Sequence, residues 1–321
     1  MTQVPDGGDA GAMATVRARL NQQVDKVVVG QSHVVDATMF ALAVGGHLLL
    51  EGPPGVAKTL LASAIGRACR LETRRVQFTP DMLPSDLTGT LTLRGNELSF
   101  RPGPIFTSIL LADEINRTPP KTQAALLEAM QEGQVTVDGV EHALPQPFTV
   151  LATQNPIEYE GTYPLPEAQL DRFLMKVVVT YPSAQNEEAL LKLRRAGVAP
   201  VTLSDIVAIA GTDDIVAVRR QVDRVAVSDE IVSYVASLVR RTRELPSVAL
   251  GASPRAGVHL LAAARAFATM AGRDYVVPDD VVALTGPVLA HRLLLTPEAE
   301  LDRFTAGDAL ANVLASVPIP R

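Results

Sequence analysis

The 321-residue chain has one cysteine, Cys69, and no tryptophan. A single cysteine rules out an internal disulfide, which fits a reducing compartment. The five histidines, His33, His47, His142, His259 and His291, are scattered without metal-ligand spacing, so no structural zinc site is expected. Long apolar runs are missing too. Met39–Val44 and Leu48–Leu50 are short, glycine interrupts the sequence between them, and neither approaches the roughly 20 residues of a membrane span. The N-terminus sets Asp6 and Asp9 among glycines, where a secretory signal would be basic and then apolar. The expectation is a soluble, cytoplasmic protein with no direct membrane insertion. An excess of positive charge is the last absence. With a net charge of −6 and a pI near 5.5, the chain as a whole has no electrostatic bias toward nucleic acid, and no nucleic-acid partner is expected. A local basic patch would escape that count.

What is present is organised around His47-Leu-Leu-Leu-Glu-Gly-Pro-Pro-Gly-Val-Ala-Lys-Thr-Leu-Leu61. It reads as a short apolar strand, a Gly/Pro loop, a Lys-Thr pair and an amphipathic helix, the order of a phosphate-cradling P-loop. Gly52 and Gly55 let backbone N–H groups approach phosphate oxygens. The cradle runs through Pro53, Pro54, Val56 and Ala57 to Lys58, Thr59 and Leu60. Lys58 suits the β- and γ-phosphates of ATP, and the Thr59 hydroxyl suits Mg²⁺. A lysine in a first helical turn opposes the helix dipole, so an anion belongs there. Ala57 stands where the general motif has glycine. An ordinary strand–turn–helix with a surface lysine is the alternative. Upstream, the tight turn Val29-Gly30-Gln31 could wrap an adenine ring or could simply join two helices.

Length suits two domains. Residues 1–13 are Gly- and Asp-rich and read as a disordered tail. Periodicity then predicts helices over Ala14–Val29 and on to Val44, and the P-loop helix from Thr59 to about Arg70. Apolar strands follow at Arg75–Thr79, Ser108–Glu114, Phe148–Asn155 and Lys176–Thr180. Between them lie short helices at Met82–Thr88 and Glu167–Leu174 and a longer one at Pro120–Glu132, with Pro at its start and Gly133 past its end. Hairpins are expected around Gly95-Asn96 (Thr90–Phe100) and Asp138-Gly139 (Val135–Leu144). Strands alternating with helices imply an α/β fold with a parallel sheet covered on both faces. The alternation stops near Pro182–Gln185. Beyond it only helices are expected: Glu187–Ala196, Leu203–Ala210, Asp229–Glu244, Pro254–Ala271 and Pro278–Leu294. The boundary divides a core, 14–183, from a helical lid, 184–321.

Asp113 and Glu114 close an apolar strand, where doubly wound sheets bind ligands. Asp113 would hold Mg²⁺, directly or through water, and Glu114 would orient and deprotonate an attacking water. Asn155, ending the next strand, could hold the water or the γ-phosphate, although Asn before Pro is also a common turn starter. Arg172 lies on a short helix whose Leu170, Phe173 and Leu174 face inward, so it should face outward, toward a neighbour. It could be an arginine finger, or it could pair locally with Glu167 or Asp171. Arg117 is a second candidate for that finger. Ser253 reads as an N-cap and Pro254 as a first helical residue, which puts Arg255 in a positive first turn and calls for an anionic partner.

Together, Gly52-Pro-Pro-Gly-Val-Ala-Lys-Thr59, Leu111-Ala-Asp-Glu-Ile-Asn-Arg117, Ala152-Thr-Gln-Asn-Pro156 and Leu165-Pro-Glu-Ala-Gln-Leu-Asp-Arg-Phe-Leu174 resemble the MoxR family of AAA+ ATPases, over about Val24 to Leu295. The resemblance implies a five-stranded sheet of order 5-1-4-3-2 followed by an all-α lid. It implies Lys58 and Thr59 as Walker A, Asp113 and Glu114 as Walker B, Asn155 as sensor 1, Arg172 as the arginine finger and Arg255 as sensor 2. The two hairpins match inserts that face a central pore or a client, and Ala57 is usual in this family. It further implies a hexameric ring and protein clients, often with a von Willebrand factor A domain or a metal or cofactor to receive. The expected activity is a Mg²⁺-dependent ATPase acting as a chaperone. A nucleic-acid motor and a nucleotide-gated scaffold are the alternatives. The acidic balance weighs against the motor, and the complete Asp113–Glu114 pair weighs against the scaffold. No Asn-Lys-x-Asp guanine motif is present, which weighs against a GTPase.

Overall fold

In a computed structural model of the chain, residues 12–53, 55–95, 97–155, 161–195 and 203–320 are described. The expected tail lies almost wholly outside them, as do Pro54, Asn96, Pro156 and Ala196. Five strands form one parallel sheet: β1 (Leu48–Glu51), β2 (Thr73–Gln77), β3 (Ile109–Asp113), β4 (Thr149–Gln154) and β5 (Met175–Val178). They lie side by side as β2-β3-β4-β1-β5, all parallel, in the expected order.

The central strands β1, β3 and β4 are apolar nearly throughout because both faces are buried, and their side chains divide by alternation, whereas the edge strand β2 is largely polar and exposed. Leu48, Leu50, Ile109, Leu111 and Leu151 enter one hydrophobic cluster; Leu49, Leu110, Ala112, Val150 and Ala152 enter a second on the opposite face. The first face is covered by helices α1 (Ala12–Val24), α2 (Ser32–Val44) and α3 (Lys58–Ala68). The second is covered by α4 (Pro84–Thr88) and α5 (Pro120–Glu132). Both expected hairpins are present, pairing Gly89–Arg94 with Glu97–Pro102 and Gln134–Val137 with Val140–Ala143. Phe100 of the first stacks on His142 of the second, with centroids 3.8 Å apart.

Beyond α6 (Glu167–Leu170) and β5 the chain is mainly helical: α7 (Ala184–Arg195), α8 (Thr212–Asp223), α9 (Asp229–Thr242), α10 (Pro254–Met270), α11 (Pro278–Leu289), α12 (Pro297–Leu301) and α13 (Ala306–Ser316). A small antiparallel ribbon, Val248–Leu250 with Leu294–Leu295, is added to this lid. The lid does not build a core apart: Leu238, Leu260, Val281 and Val313 belong to the same cluster as Leu48 and Leu50. None of the described helices is long and apolar enough to cross a membrane.

Several expected helices differ: Ala14–Val29 stops at Val24, Pro278–Leu294 stops at Leu289, where a 3₁₀ turn leads into the Leu294–Leu295 strand, and two others are cut short. Leu203–Ala210 makes only a 3₁₀ turn over Leu203–Asp205, because Ile209 and Ala210 both donate their N–H to the Ala68 carbonyl at the end of α3 (2.8 and 3.3 Å). The helix begins later, at Thr212, where Asp214 accepts from the Gly211 N–H at 2.7 Å. Glu167–Leu174 is likewise cut to α6. Phe173 and Leu174 are pulled into the sheet, the Leu174 N–H donating to the His47 carbonyl at 2.8 Å.

Candidate active site

The C-terminal ends of β1, β3 and β4 lie in register, Glu51 beside Gln154 and Ala112 beside Ala152, so the residues that follow them share one edge. From β1 the chain turns at Gly52, whose N–H donates to the Gln154 carbonyl at 3.4 Å. A Cβ on Gly52 would sit 2.2 Å from the Val179 carbonyl oxygen, so only glycine lets the end of β5 lie this close. Gly55 (φ +84°) and Ala57 (φ +61°) both take left-handed backbone, and Ala57 leads directly into α3. That is the conformation the missing glycine of the general motif would adopt. Alanine holds it at a cost of about 1 kcal/mol. Pro53 is half-buried, Gly55 is exposed, Val56 is buried, and Thr59 and Leu60 are half-buried in the first turn of α3; Pro54 lies outside the described residues.

Lys58, the first residue of α3, folds its side chain back over the loop, Nζ donating to the Gly52 carbonyl at 2.9 Å. Burial lowers its pKa, while the charges of Asp113 and Glu114 act to raise it. Those charges place the lysine and the acidic pair in one electrostatic neighbourhood.

The pair itself, at the end of β3, is held by groups from the two flanking strands, β2 and β4. Thr153, on β4, donates its hydroxyl to Asp113 Oδ1 at 2.6 Å and accepts the Glu114 N–H at 2.9 Å. Arg75, on β2, donates from Nε and Nη2 to Asp113 Oδ2 at 3.1 and 2.8 Å. Glu114 itself adopts left-handed backbone (φ +57°), strain that a non-glycine residue keeps only where the surroundings impose it. Its Oε2 accepts from Gln77 Nε2 at 2.7 Å and pairs with Arg117 Nε at 3.0 Å. Arg117 is thus joined to Glu114 in its own chain. Asn155 is buried just past the end of β4, two residues beyond Thr153.

The turn Val29–Gln31 is also present. Gly30 has φ +81°, and Gln31 heads α2 with its Nε2 donating to the Thr180 carbonyl at 3.3 Å, one residue past the Val179 that touches the P-loop. Its Oε1 is buried without a partner among the described residues. Val29 is half-buried beside them. An unmet acceptor here, a glycine-enforced close approach at Gly52 and left-handed backbone at Gly55 and Ala57 together fit a nucleotide. For Mg²⁺, Asp113 keeps capacity: a carboxylate offers about four acceptor sites, and Thr153 and Arg75 use three.

Among the described residues, neither Arg172 nor Arg255 bonds to the loop or to the acidic pair. Arg172 is half-buried, and among the described residues its guanidinium has no hydrogen-bond or ion-pair partner, so the local pairing with Glu167 or Asp171 is not formed. Arg255 sits in the first turn of α10 as expected, behind Pro254 and the Ser253 cap that accepts from the Ala256 N–H. Its anionic neighbour is Asp171, 3.9 Å from Nη1. Sequence reasoning missed Arg75, Gln77 and Arg292, and it quoted Thr153 only as part of a motif. Register across β2, β3 and β4 assigns the roles of Arg75, Gln77 and Thr153, and no local pattern carries it.

Comparison with known proteins agrees with this geometry. Residues 47–175 match the family model described as "ATPase family associated with various cellular activities (AAA)", and 240–313 match an AAA lid domain. The chain is 46% identical to YeaC of Bacillus subtilis (strain 168) over 301 residues, 93% of each chain. It is 42% identical to Chaperone MoxR1 of Mycobacterium tuberculosis, covering 99% of this chain and 87% of that one. Protein MoxR of Methylorubrum extorquens is 32% identical over 94% and 95%. A crystal structure from Cytophaga hutchinsonii superposes with a TM-score of 0.88 at 38% identity, over 97% of each chain.

Proposed function

The chain belongs to the MoxR family of AAA+ ATPases, and from that premise we propose that it is an ATP-driven chaperone that remodels or activates client proteins from a hexameric homo-oligomeric ring. The observation that carries this reading is the Thr153 hydroxyl, which ties Asp113 and the Glu114 backbone together beside the Lys58 loop. A scaffold that only bound nucleotide would not require so closely fixed an acidic pair. The relative named a chaperone, alike over nearly the whole chain, supports the biological side.

In this reading the P-loop N–H groups and Lys58 hold the phosphates of ATP, and Val29, Gly30 and Gln31 receive the base. Thr59 and Asp113 hold Mg²⁺, which when bound neutralises charge across the phosphates. Glu114 orients the attacking water and accepts its proton, and Asn155 steadies that water. Arg172 reaches the site of the next subunit, and Arg255 reaches the phosphates from the lid. Glu114 leaves β3 with left-handed backbone, and Gln77 and Arg117 hold its carboxylate there. Clients of von Willebrand factor A type, or enzymes receiving a metal or cofactor, fit this family reading.

Steady-state ATP hydrolysis measured against protein concentration tests it. The expected result is activity per chain that rises as subunits associate, collapses in Glu114→Gln with nucleotide still bound, and falls at least about a hundredfold in Arg172→Ala, as loss of an arginine finger implies. Full-rate hydrolysis by monomers, together with an unaffected Arg172→Ala, would overturn the ring mechanism.

A further inference from the structure

The turn that precedes β5 is held from the lid more firmly than a surface turn needs to be. Asp171 caps the C-terminus of α6 and stands next to Arg172. Its carboxylate accepts from the Ser253 hydroxyl, 2.9 Å to each oxygen, and from Arg292 Nε at 2.9 Å, with Arg255 Nη1 at 3.9 Å. All three partners belong to the lid, on α10 or just past α11.

Arg292 is the anchor. Its side chain is 1% exposed, and its guanidinium also donates to the main-chain carbonyls of Asp171, Phe173, Leu174 and Val288. It lies 2.6 Å from His259 Nδ1. A guanidinium only donates, so His259 Nδ1 faces it as an acceptor and is neutral, sharing the two Nη2 N–H groups with the Asp171 and Phe173 carbonyls. Burial and the positive Arg292 agree with this, lowering the His259 pKa to about 4. One buried arginine thus binds Asp171, Phe173 and Leu174 along their main chain, so the backbone carrying Arg172 moves with the lid. The Arg255 contact is different in kind: at 3.9 Å with the arginine side chain 41% exposed, it can be given up to another anion.

We infer that Asp171 is a positioning residue that holds Arg172 in place for the neighbouring subunit, and that through Ser253, Arg292 and Arg255 it couples that placement to the lid position of its own subunit. This rests on the reading of Arg172 as a finger acting in trans. When Arg255 turns to a bound phosphate, Asp171 loses one positive neighbour while Ser253 and Arg292 keep it on the lid. The state of one site is thereby passed to the finger serving the next.

The test is complementation between two inactive variants. Asp171→Asn keeps its own P-loop and acidic pair but presents a misplaced finger; Glu114→Gln has a dead site but presents a sound one. Asp171→Asn alone should bind ATP as wild type, with KM within about twofold, and lose at least about tenfold in kcat, a factor worth 1.36 kcal/mol. Mixing it with Glu114→Gln should restore hydrolysis above either protein alone, peaking at an intermediate ratio, and Asp171→Glu should recover part of the kcat alone. Ser253→Ala leaves the Arg292 pair intact and should show the same pattern in weaker form, which carries the test if Asp171→Asn does not assemble. Arg172→Ala with Glu114→Gln is the control. If that control complements and neither Asp171→Asn nor Ser253→Ala does, Asp171 serves its own site and the inference is overturned alone. If the control also fails, the finger in trans fails and takes the inference with it.

Discussion

His47 immediately precedes β1, the strand that delivers the P-loop, and it is the residue through which acid should loosen the sheet. The Val150 N–H donates to its Nδ1 at 3.0 Å, so its proton is on Nε2, which donates to the Met130 carbonyl at 3.0 Å. Phe148 meets the ring edge-on, with centroids 5.7 Å apart. The neutral imidazole is fully satisfied and cut off from water. Burial draws its pKa down from 6.5 to about 4; the Met130 carbonyl opposes the shift, and Arg219 adds slightly to it. The folded pKa lies below the unfolded one, so the unfolded chain takes up the proton first. The contribution to stability is therefore complete above pH about 6.5 and is lost as the pH falls toward 4. By pH about 4.5 the loss attributable to this one residue reaches about 2.5 kcal/mol. Urea unfolding at pH about 7.5 and about 4.5, for wild type and His47→Gln, isolates it. Glutamine can accept from Val150 and donate to Met130, yet it carries no charge at either pH. Wild type should lose about 2.5 kcal/mol more than the variant over this interval. Parallel losses in the two proteins would refute the account of His47 as a buried neutral imidazole.

Three further outcomes follow from the site. Gly52→Ala must force the end of β1 away from the Val179 carbonyl, 2.2 Å from the new Cβ, and should destabilise by about 3 kcal/mol. Gly55→Ala meets no atom within 4 Å and suffers only its φ of +84°, about 1 kcal/mol. Urea midpoints that reverse this order would contradict the packing of β1 against β5. Thr153→Val leaves Asp113 short of a donor and the Glu114 N–H without an acceptor, a loss of about 1–3 kcal/mol in stability. Its ATP turnover should fall far more than its ATP affinity, as kcat and KM measured together would reveal. Cys69 is buried, and burial pushes its thiol up to about 12, so iodoacetamide should label it only in denaturant; fast labelling of the native protein would place it wrongly.

Much of the site was legible because it is written locally. The loop Gly52–Thr59 needs its residue types at fixed spacing, since phosphate binding at a helix start is a property of consecutive backbone N–H groups. Asp113, Glu114 and Asn155 could be found because an acid or amide at the end of an apolar strand has a fixed place in an α/β sheet. Ala57 could be noticed as a departure, but its left-handed φ and therefore its physical meaning came only from the fold. The misread helices show the limit from the other side. Leu203–Ala210 has helical periodicity, yet the free Ala68 carbonyl at the end of α3 competes for its N–H groups and keeps Ile209 and Ala210 extended.

The sequence by itself determined the strand–loop–helix order, the apolar strands buried on both faces, the nucleotide chemistry and the helical composition of the lid. Each of these follows from periods of two or 3.6 residues or from a motif a few residues long. Only the tertiary structure decided that Thr153 bridges Asp113 and Glu114, that Arg75 and Gln77 from β2 hold the same pair, and that Arg292 joins the lid to the turn carrying Arg172. Those partners are separated by 37 to 121 positions in the chain. They meet through strand register and helix docking, and both are set by the burial of whole faces, with no pattern in any one segment to announce them.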